Sequence, residues 1–289
     1  MAGLCAFFPT RDFGSDFAAI RDWAQAAEEL GYDWITVPDH VLGADPASRE
    51  GWKPPYTHRD QFHETFVTMG YLAACTERIG LASGVLILPQ RQTALVAKQA
   101  AEVDILSGGR LRLGIGTGWN FVEYEALNED WETRGARQAE QVALMRRLWT
   151  EELVTTGGRW HGFSDAGLNP LPVQRPIPVW FGGTHPAVLR RTAKIGDGWI
   201  PIARPDDSGR RLVETLHGLL EAEGRDPASF GIDAWMRADS PDVQQWAAAA
   251  EGWRALGASL LTLYPLYRVE SVEERIQALA RFKEAAGAC

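Results

Sequence analysis

The sequence lacks the features that mark several common classes of protein. Its three cysteines, Cys5, Cys75 and Cys289, form neither a CxxC pair nor an even-numbered disulfide set. No apolar run approaches the roughly 18 residues of a membrane span, and the start MAGLCAFFP lacks the charged segment of a secretory signal. No cluster of lysine and arginine offsets the net charge of −9, and nucleic-acid binding needs such a basic surface. We therefore expect a cytoplasmic protein that binds neither nucleic acid nor membrane.

Motifs for two kinds of catalytic site are absent as well. No GxSxG occurs, so the sequence does not indicate a hydrolase with a nucleophile elbow. His58 and His63, next to Glu64, are five residues apart and would not share a helix face as metal ligands at i and i+4 do. We predict no metal site and interpret the surrounding loop as a lid over a cavity.

What the sequence does contain is a regular alternation of short apolar runs and longer amphipathic stretches. Eight strand–helix pairs in 289 residues match a (β/α)8 TIM barrel. We predict one barrel domain over 1–289, and a doubly wound sheet is the alternative. The predicted strands cover 3–9, 32–40, 79–89, 110–116, 177–183, 198–203, 230–238 and 258–266. The predicted helices cover 17–31, 64–77, 93–109, 137–152, 185–197, 208–224, 242–257 and 271–286.

Three segments interrupt this alternation of strands and helices. The insertions 41–62 and 119–135 follow strands two and four, so they would lie at the carboxyl ends of the barrel strands, where barrel enzymes build their sites. The excursion 153–177 follows helix four and precedes strand five, so it starts at the opposite end.

The stretch LRLGIGTGWN at 111–120 raises the possibility of a dinucleotide-binding loop. A Rossmann fingerprint has G-x-G-x-x-G after the first strand. Here Gly114, Gly116 and Gly118 have G-x-G-x-G spacing, Trp119 takes the place of the third glycine, and the run follows the fourth strand. We therefore reject the dinucleotide fingerprint.

Two other glycine clusters end predicted strands. Gly182 and Gly183 precede Thr184, which could cap the helix that begins near Pro186 and so create an anion site; a plain strand–helix turn is the alternative. Ser83 and Gly84 interrupt strand three, which indicates a bulge or a close approach of backbone. In a barrel, these strand ends face one cavity.

The stretch VPDH ends strand two. Asp39 and His40 could supply hydrogen bonds or a proton at the cavity mouth, because histidine titrates near neutral pH. A turn capped by Asp39 is the structural alternative.

These stretches together resemble the luciferase-like flavin and deazaflavin barrels, and within them the coenzyme F420-dependent oxidoreductases. The resemblance extends from AFFP to GDGWIP. It rests on the following segments: LGYDWITVPDH, TERIGLASGVLILPQR, AKQAAEVDILSGGRLRLGIGTGWN, PLPVQRPIPVWFGG and AKIGDGWIP. After about residue 205 it weakens.

The resemblance implies a role for each matching position. Ser83, Gly84 and Val85 match the bulge that backs the cofactor ring, often through a non-proline cis peptide. Asp39 and His40 match the acidic–histidine pair beside the deazaflavin, in which Asp39 would orient the histidine or form a hydrogen bond with the edge of the ring. The end of strand four matches the segment that lines the ring and the ribityl chain of the cofactor, with Thr117, Gly118, Trp119 and Asn120. The turn after strand five matches the phosphate-binding turn, with Gly182, Gly183 and Thr184. The resemblance also implies a homodimer.

One position departs from a branch of this family. The sugar-phosphate dehydrogenases carry a proton-donating glutamate where this chain has Trp119. We therefore expect a small apolar or aromatic substrate, with His40 as the proton donor or acceptor and Glu123 and Tyr124 as further candidates. The function expected is hydride transfer between C5 of F420 and this substrate. The alternatives are an FMN-dependent monooxygenase that uses reduced flavin and O₂, and a non-catalytic flavin-binding barrel.

Overall fold

The computed structural model describes residues 2–267, 269 and 271–287. Cys289 and the two ends of the predicted domain therefore lie outside the described residues. The strands, in chain order, are β1 (Gly3–Phe7), β2 (Trp34–Val37), β3 (Gly80–Ser83), β4 (Leu86–Ile87), β5 (Leu111–Gly116), β6 (Val154–Gly157), β7 (Gly162–Ala166), β8 (Val179–Gly182), β9 (Gly198–Ile200), β10 (Gly231–Ala238) and β11 (Leu260–Pro265). The helices are α1 (Phe17–Glu29), α2 (Thr65–Cys75), α3 (Thr93–Leu106), α4 (Phe121–Ala126), α5 (Arg134–Thr150), α6 (Pro186–Ile195), α7 (Asp207–Ala222), α8 (Val243–Ala255) and α9 (Val272–Ala285).

Parallel pairing closes the sheet into a barrel, which confirms the predicted (β/α)8 fold and excludes the doubly wound sheet. The strands follow one another around the barrel as β1, β2, β3, β5, β8, β9, β10 and β11, and β11 pairs with β1. Strand β4 continues β3 after the bulge and also pairs with β5. The two insertions therefore follow β2 and β5, at the carboxyl ends of the barrel strands.

The first helix illustrates how the sequence produces these elements. The Asp16 carboxylate accepts a hydrogen bond from the Ala19 backbone N–H and caps α1. Ile20, Trp23 and Ala27 recur on one helical face and are buried against the barrel. Gly31 follows the helix with a φ of +77°, a conformation that glycine adopts without steric cost.

The excursion 153–177 contains an antiparallel hairpin, β6–β7, that the sequence did not predict. Its tip is anchored by Glu140 of α5, whose carboxylate accepts hydrogen bonds from the backbone N–H groups of Arg159, Trp160 and His161. The His161 ring reaches from Glu140 to the hydroxyl of Thr93, the first residue of α3. The hairpin thus turns back along α5 toward the end of the barrel where α3 begins.

Candidate functional site

His40 lies directly after β2, in a pocket of aromatic side chains. Its ring centroid lies 4.6 Å from that of Phe62, 5.2 Å from Tyr56 and 5.3 Å from Trp119. Phe62 and Tyr56 belong to the loop 41–62, so this insertion covers the histidine. Only 11% of the His40 side chain is exposed. An imidazole among aromatic rings is shielded from water, and this strengthens its electrostatic interactions.

The hydrogen-bond partner of His40 is Glu123. The Nδ1 atom of His40 lies 3.2 Å from Oε1 of Glu123, whose side chain is 1% exposed. The same oxygen accepts hydrogen bonds from the backbone N–H groups of Val41 and Leu42. This carboxylate therefore fixes the ring and favours the tautomer with the proton on Nδ1, which leaves Nε2 as the acceptor.

Glu123 reaches this place because helix α4 starts in the insertion after β5. The Asn120 side chain caps α4 by accepting from the Val122 N–H, and its amide donates to the Leu42 carbonyl. Glu123 stands three residues after this cap, in the first turn, where the helix dipole favours a negative charge. The polar groups of Asn120 therefore join the two insertions together.

Asp39 takes part in a different network from the one predicted. One carboxylate oxygen accepts from the Arg91 guanidinium at 2.6 Å and from the Thr65 hydroxyl, and the other accepts from the Ile87 N–H. Among the described residues, no hydrogen bond joins Asp39 to His40. The expectation that Asp39 orients the histidine is therefore wrong, because Glu123 takes that place. The alternative, that Asp39 bonds the edge of the cofactor ring, stays a prediction.

Tyr124 is directed away from the histidine. Its hydroxyl donates to the Thr117 carbonyl at 2.8 Å, and its ring packs edge-on against Trp131. Burial raises the pKa of this hydroxyl well above its ordinary value. Tyr124 therefore holds the end of β5 in place, and it is a poor proton donor at neutral pH.

The bulge between β3 and β4 lies at the mouth of the barrel. The bond between Gly84 and Val85 is cis, as the resemblance implies. A Cβ atom at Gly116 or Gly182 would lie 2.6 or 2.7 Å from a Val85 methyl group, so the backbones of β5 and β8 approach Val85 directly. Ser83, the last residue of β3, lies directly before the bulge, and its hydroxyl donates to the Gly114 carbonyl.

Two buried polar atoms beside this bulge have no hydrogen-bond partner among the described residues. They are the Thr36 hydroxyl and the Trp235 indole N–H. A Cβ at Gly84 would lie 2.1 Å from the Thr36 methyl group and 2.7 Å from the Trp235 ring. Buried polar groups normally find a partner. The surface formed by Val85 and bare backbone fits one face of a flat heteroaromatic ring such as a flavin or a deazaflavin.

The turn after β8 differs in detail from the prediction. The residue that caps α6 is His185, whose Nδ1 accepts from the Ala187 N–H, and Thr184 is not the cap. The extended backbone of His185 places its ring over the first turn, which begins with Pro186. The Gly183 N–H already donates to the Ile200 carbonyl. Within the described part of the chain, the backbone N–H groups of Thr184 and His185 donate to no acceptor. Both groups are therefore available to bind an anion.

The loop 41–62 closes over the barrel mouth. The hydroxyl groups of Tyr56 in the loop and Tyr264 at the end of β11 are in contact. The Arg11 guanidinium lies 5.3 Å from the Tyr56 ring centroid, and Tyr264 packs against Phe7 and Trp235 of the mouth. This arrangement agrees with the predicted lid. The histidines His58 and His63 join no group of three potential metal ligands among the described residues.

No helix in the described part of the chain is long and apolar enough to cross a membrane.

Comparison with known proteins places this geometry in a family. An uncharacterized protein of Mycobacterium tuberculosis is 36% identical over 73% of this chain and 74% of its own length. An F420-dependent glucose-6-phosphate dehydrogenase of Kineococcus radiotolerans is 33% identical over 71% of this chain and 59% of its own length. An FMNH2-dependent dimethylsulfone monooxygenase of Pseudomonas putida is 28% identical over 80% of this chain and 61% of its own length.

The fold is also found in solved structures. A monooxygenase of Streptomyces bottropensis superposes with a TM-score of 0.77 at 19% identity, over 98% of each chain. The sequence profile of the Luciferase-like monooxygenase family matches residues 4–286. The chain belongs to this family, and the relatives named above as dehydrogenase and monooxygenase identify it as an oxidoreductase.

Proposed function

We propose that this protein is an F420-dependent oxidoreductase that transfers a hydride between C5 of the deazaflavin and a small apolar or aromatic substrate. The observation that carries the proposal is the hydrogen bond between His40 and the buried Glu123 in an aromatic pocket. The bound deazaflavin would supply the hydride chemistry. The chain supplies position, a shielded environment and a group that exchanges the proton.

The residues of the pocket divide these tasks. Nε2 of His40 accepts a proton from a substrate hydroxyl or returns it to a carbonyl oxygen, and the Glu123 carboxylate stabilises the imidazolium that results. Trp119, Tyr56 and Phe62 present ring faces and edges to the substrate. The pocket therefore favours an apolar or aromatic molecule, and its closed loop limits the entry of water.

The cofactor-binding residues follow from the same surface. Ser83, Gly84 and Val85 would back the ring, Thr117, Gly118 and Trp119 would line it, and Gly182, Gly183 and Thr184 would hold the phosphate. Asp39 and Asn120 would act by fixing the bulge and the loop, because their polar atoms already bind neighbouring groups.

The second candidate is an FMN-dependent monooxygenase, which the Pseudomonas putida relative favours. Titration of the purified protein with F420 and with FMN, followed by fluorescence, separates the two. We expect F420 to bind at least about tenfold more tightly, an advantage of about 1.4 kcal/mol. Tight binding of FMN without a response to F420 would overturn the choice.

We also propose that the protein forms a homodimer through α2 and α3. Val67 and Tyr71 on α2 and Leu95 on α3 are exposed apolar side chains, and the Tyr71 ring contacts that of exposed Phe17. Apolar side chains that share one exposed face often mark an interface.

A substitution that introduces a charge on this face tests whether the dimer forms through it. Val67→Asp should shift the molar mass from that of two chains to that of one, because a carboxylate would lose its water in the contact. Light scattering measures this mass. Leu153→Asp is the control, since Leu153 is also exposed but lies elsewhere. A monomeric wild-type protein, or a dimer that both variants preserve, contradicts the proposal.

A further inference from the structure

Two arginines near the turn after β8 form no ion pair with a carboxylate of the described residues. Arg134 is the first residue of α5, and Arg191 lies on α6, the helix that follows this turn. In a (β/α)8 barrel each helix begins where the preceding strand ends, so the starts of α5 and α6 lie on the same side of the molecule. The two helices also pack against each other.

The two guanidinium groups meet at the first turn of α5. A Cβ atom at Gly135 would lie 3.0 Å from Nη1 of Arg191, so this guanidinium lies against that turn. Arg191 follows Ala187 by four residues on one face of α6, and long side chains on a helix point back toward its start. The guanidinium of Arg134 covers the Trp131 ring at 3.6 Å from its centroid. The two cations therefore lie between the start of α5 and the turn after β8.

Both arginines have N–H groups that a ligand can reach. The Nε atom of Arg191 is buried, but Nη1 and Nη2 are not, and neither donates to an acceptor of the described residues. In Arg134, Nη1 donates to the Trp131 carbonyl at 2.6 Å, whereas Nη2 has no acceptor there and is not buried. Beside them, the backbone N–H groups of Gly135 and Ala136 also lack an acceptor in the described part of the chain.

The charge around Arg191 is positive. Burial, together with repulsion by Arg134 and Arg190, lowers the pKa of the Arg191 guanidinium. Arginine nevertheless stays protonated at neutral pH. A phosphodiester at the turn after β8 has one negative charge and would compensate one guanidinium at most. A second negative charge in the same ligand would compensate the other.

We propose that Arg134 and Arg191 bind a second anionic group, a carboxylate or a phosphate, carried by the ligand whose phosphate lies at residues 182–184. The guanidinium groups and the N–H groups of Gly135 and Ala136 donate to its oxygen atoms, and such charge-assisted hydrogen bonds are the strong ones. The identity of this ligand as the cofactor rests on the proposed function. Binding of a small molecule with both anionic groups requires neither the cofactor nor catalysis.

Two probes that share a phosphate test for the second group. Phosphoglycolate carries a carboxylate beside its phosphate, whereas ethyl phosphate carries a phosphate alone. Calorimetric titration of the cofactor-free protein should show phosphoglycolate bound at least about tenfold more tightly than ethyl phosphate, a difference of about 1.4 kcal/mol. Equal affinity for the two probes, or no binding of phosphoglycolate, overturns the proposal.

Arginine variants locate the effect. Arg191→Gln removes the charge and keeps a polar side chain, so it should bind the two probes with nearly equal affinity. Arg281→Gln is the matched control, because Arg281 is an exposed arginine of α9, which packs against α1 and α8. It should keep the preference of the wild type. Loss of the preference in both variants would mean that only the net charge of the protein attracts the probes, and the proposal would be wrong.

Two further measurements keep the test decisive. If Arg191→Gln does not fold, Arg134→Gln should lose the same preference while its melting temperature stays near that of the wild type. Saturation with F420 should block phosphoglycolate, because both would occupy the same guanidinium groups. If phosphoglycolate still binds the F420-saturated protein and Arg191→Gln abolishes that binding, a separate anion fills the site and the assignment to the cofactor is wrong. If F420 itself does not bind, the proposed function fails, and the comparison of the two probes still decides whether the second anion site exists.

Discussion

Replacing His40 with alanine should lower kcat of the F420-dependent reaction by about 10²- to 10⁴-fold, the usual contribution of a positioned acid or base. The variant loses the Nε2 atom that exchanges the proton, while the surface formed by Val85, Gly116 and Gly182 is left in place. F420 should therefore bind within severalfold of the wild type. Steady-state kinetics and a fluorescence titration measure the two effects separately, and unchanged turnover would remove His40 from the mechanism.

Glu123→Gln tests the partner of this histidine. The amide oxygen can still accept from His40 Nδ1, Val41 N–H and Leu42 N–H, so the loop should stay in place while the negative charge is lost. We expect kcat to fall with little change in KM, because the imidazolium is no longer stabilised. Tyr124→Phe is the control, since that hydroxyl bonds the Thr117 carbonyl and should leave kcat nearly unchanged.

The barrel was predictable because its signals are local. The apolar positions of α1 repeat every three to four residues, Asp16 precedes them and Gly31 follows them. The hairpin β6–β7 has no such signal, since its strands, VTTG and GFSDA, are short and largely exposed. Its position depends on Glu140, a residue of the preceding helix that binds three backbone N–H groups of its tip.

The difference between local and long-range signals also explains which parts of the site could be predicted. His40 and the bulge at Gly84 follow strands, so strand prediction was enough to bring them to one end of the barrel. Glu123 was named only as a further candidate for proton transfer, and its contact with His40, 83 residues away in the chain, was not predicted because it depends on how two insertions meet. The spacing of Asn120 and Glu123 does match a helix cap and its third residue, which could have indicated a helix start there.

Replacing Arg112 with methionine should have the largest effect on stability. This guanidinium lies inside the barrel, 2% exposed, where it binds Asp233 at 2.6 Å between the rings of Trp34 and Trp180. Asp233 is fully buried and also accepts from the Thr262 hydroxyl at 2.6 Å. Removal of the cation would leave a buried carboxylate without its counter-charge, which typically costs about 3–5 kcal/mol.

Chemical denaturation monitored by circular dichroism measures this loss, and a second substitution isolates its cause. Adding Asp233→Leu to Arg112→Met removes the uncompensated charge, so the double variant should be more stable than Arg112→Met alone. Arg147→Met, which breaks an exposed pair with Glu151, should change stability little. The free energy of unfolding lost in the double variant is compared with the sum of the losses in Arg112→Met and Asp233→Leu alone. If the two are equal, the pair is not coupled and the instability comes from lost packing against Trp34 and Trp180. Because Arg112 and Asp233 lie near the amino-terminal ends of β5 and β10, away from His40, the folded fraction of each variant should keep its affinity for F420.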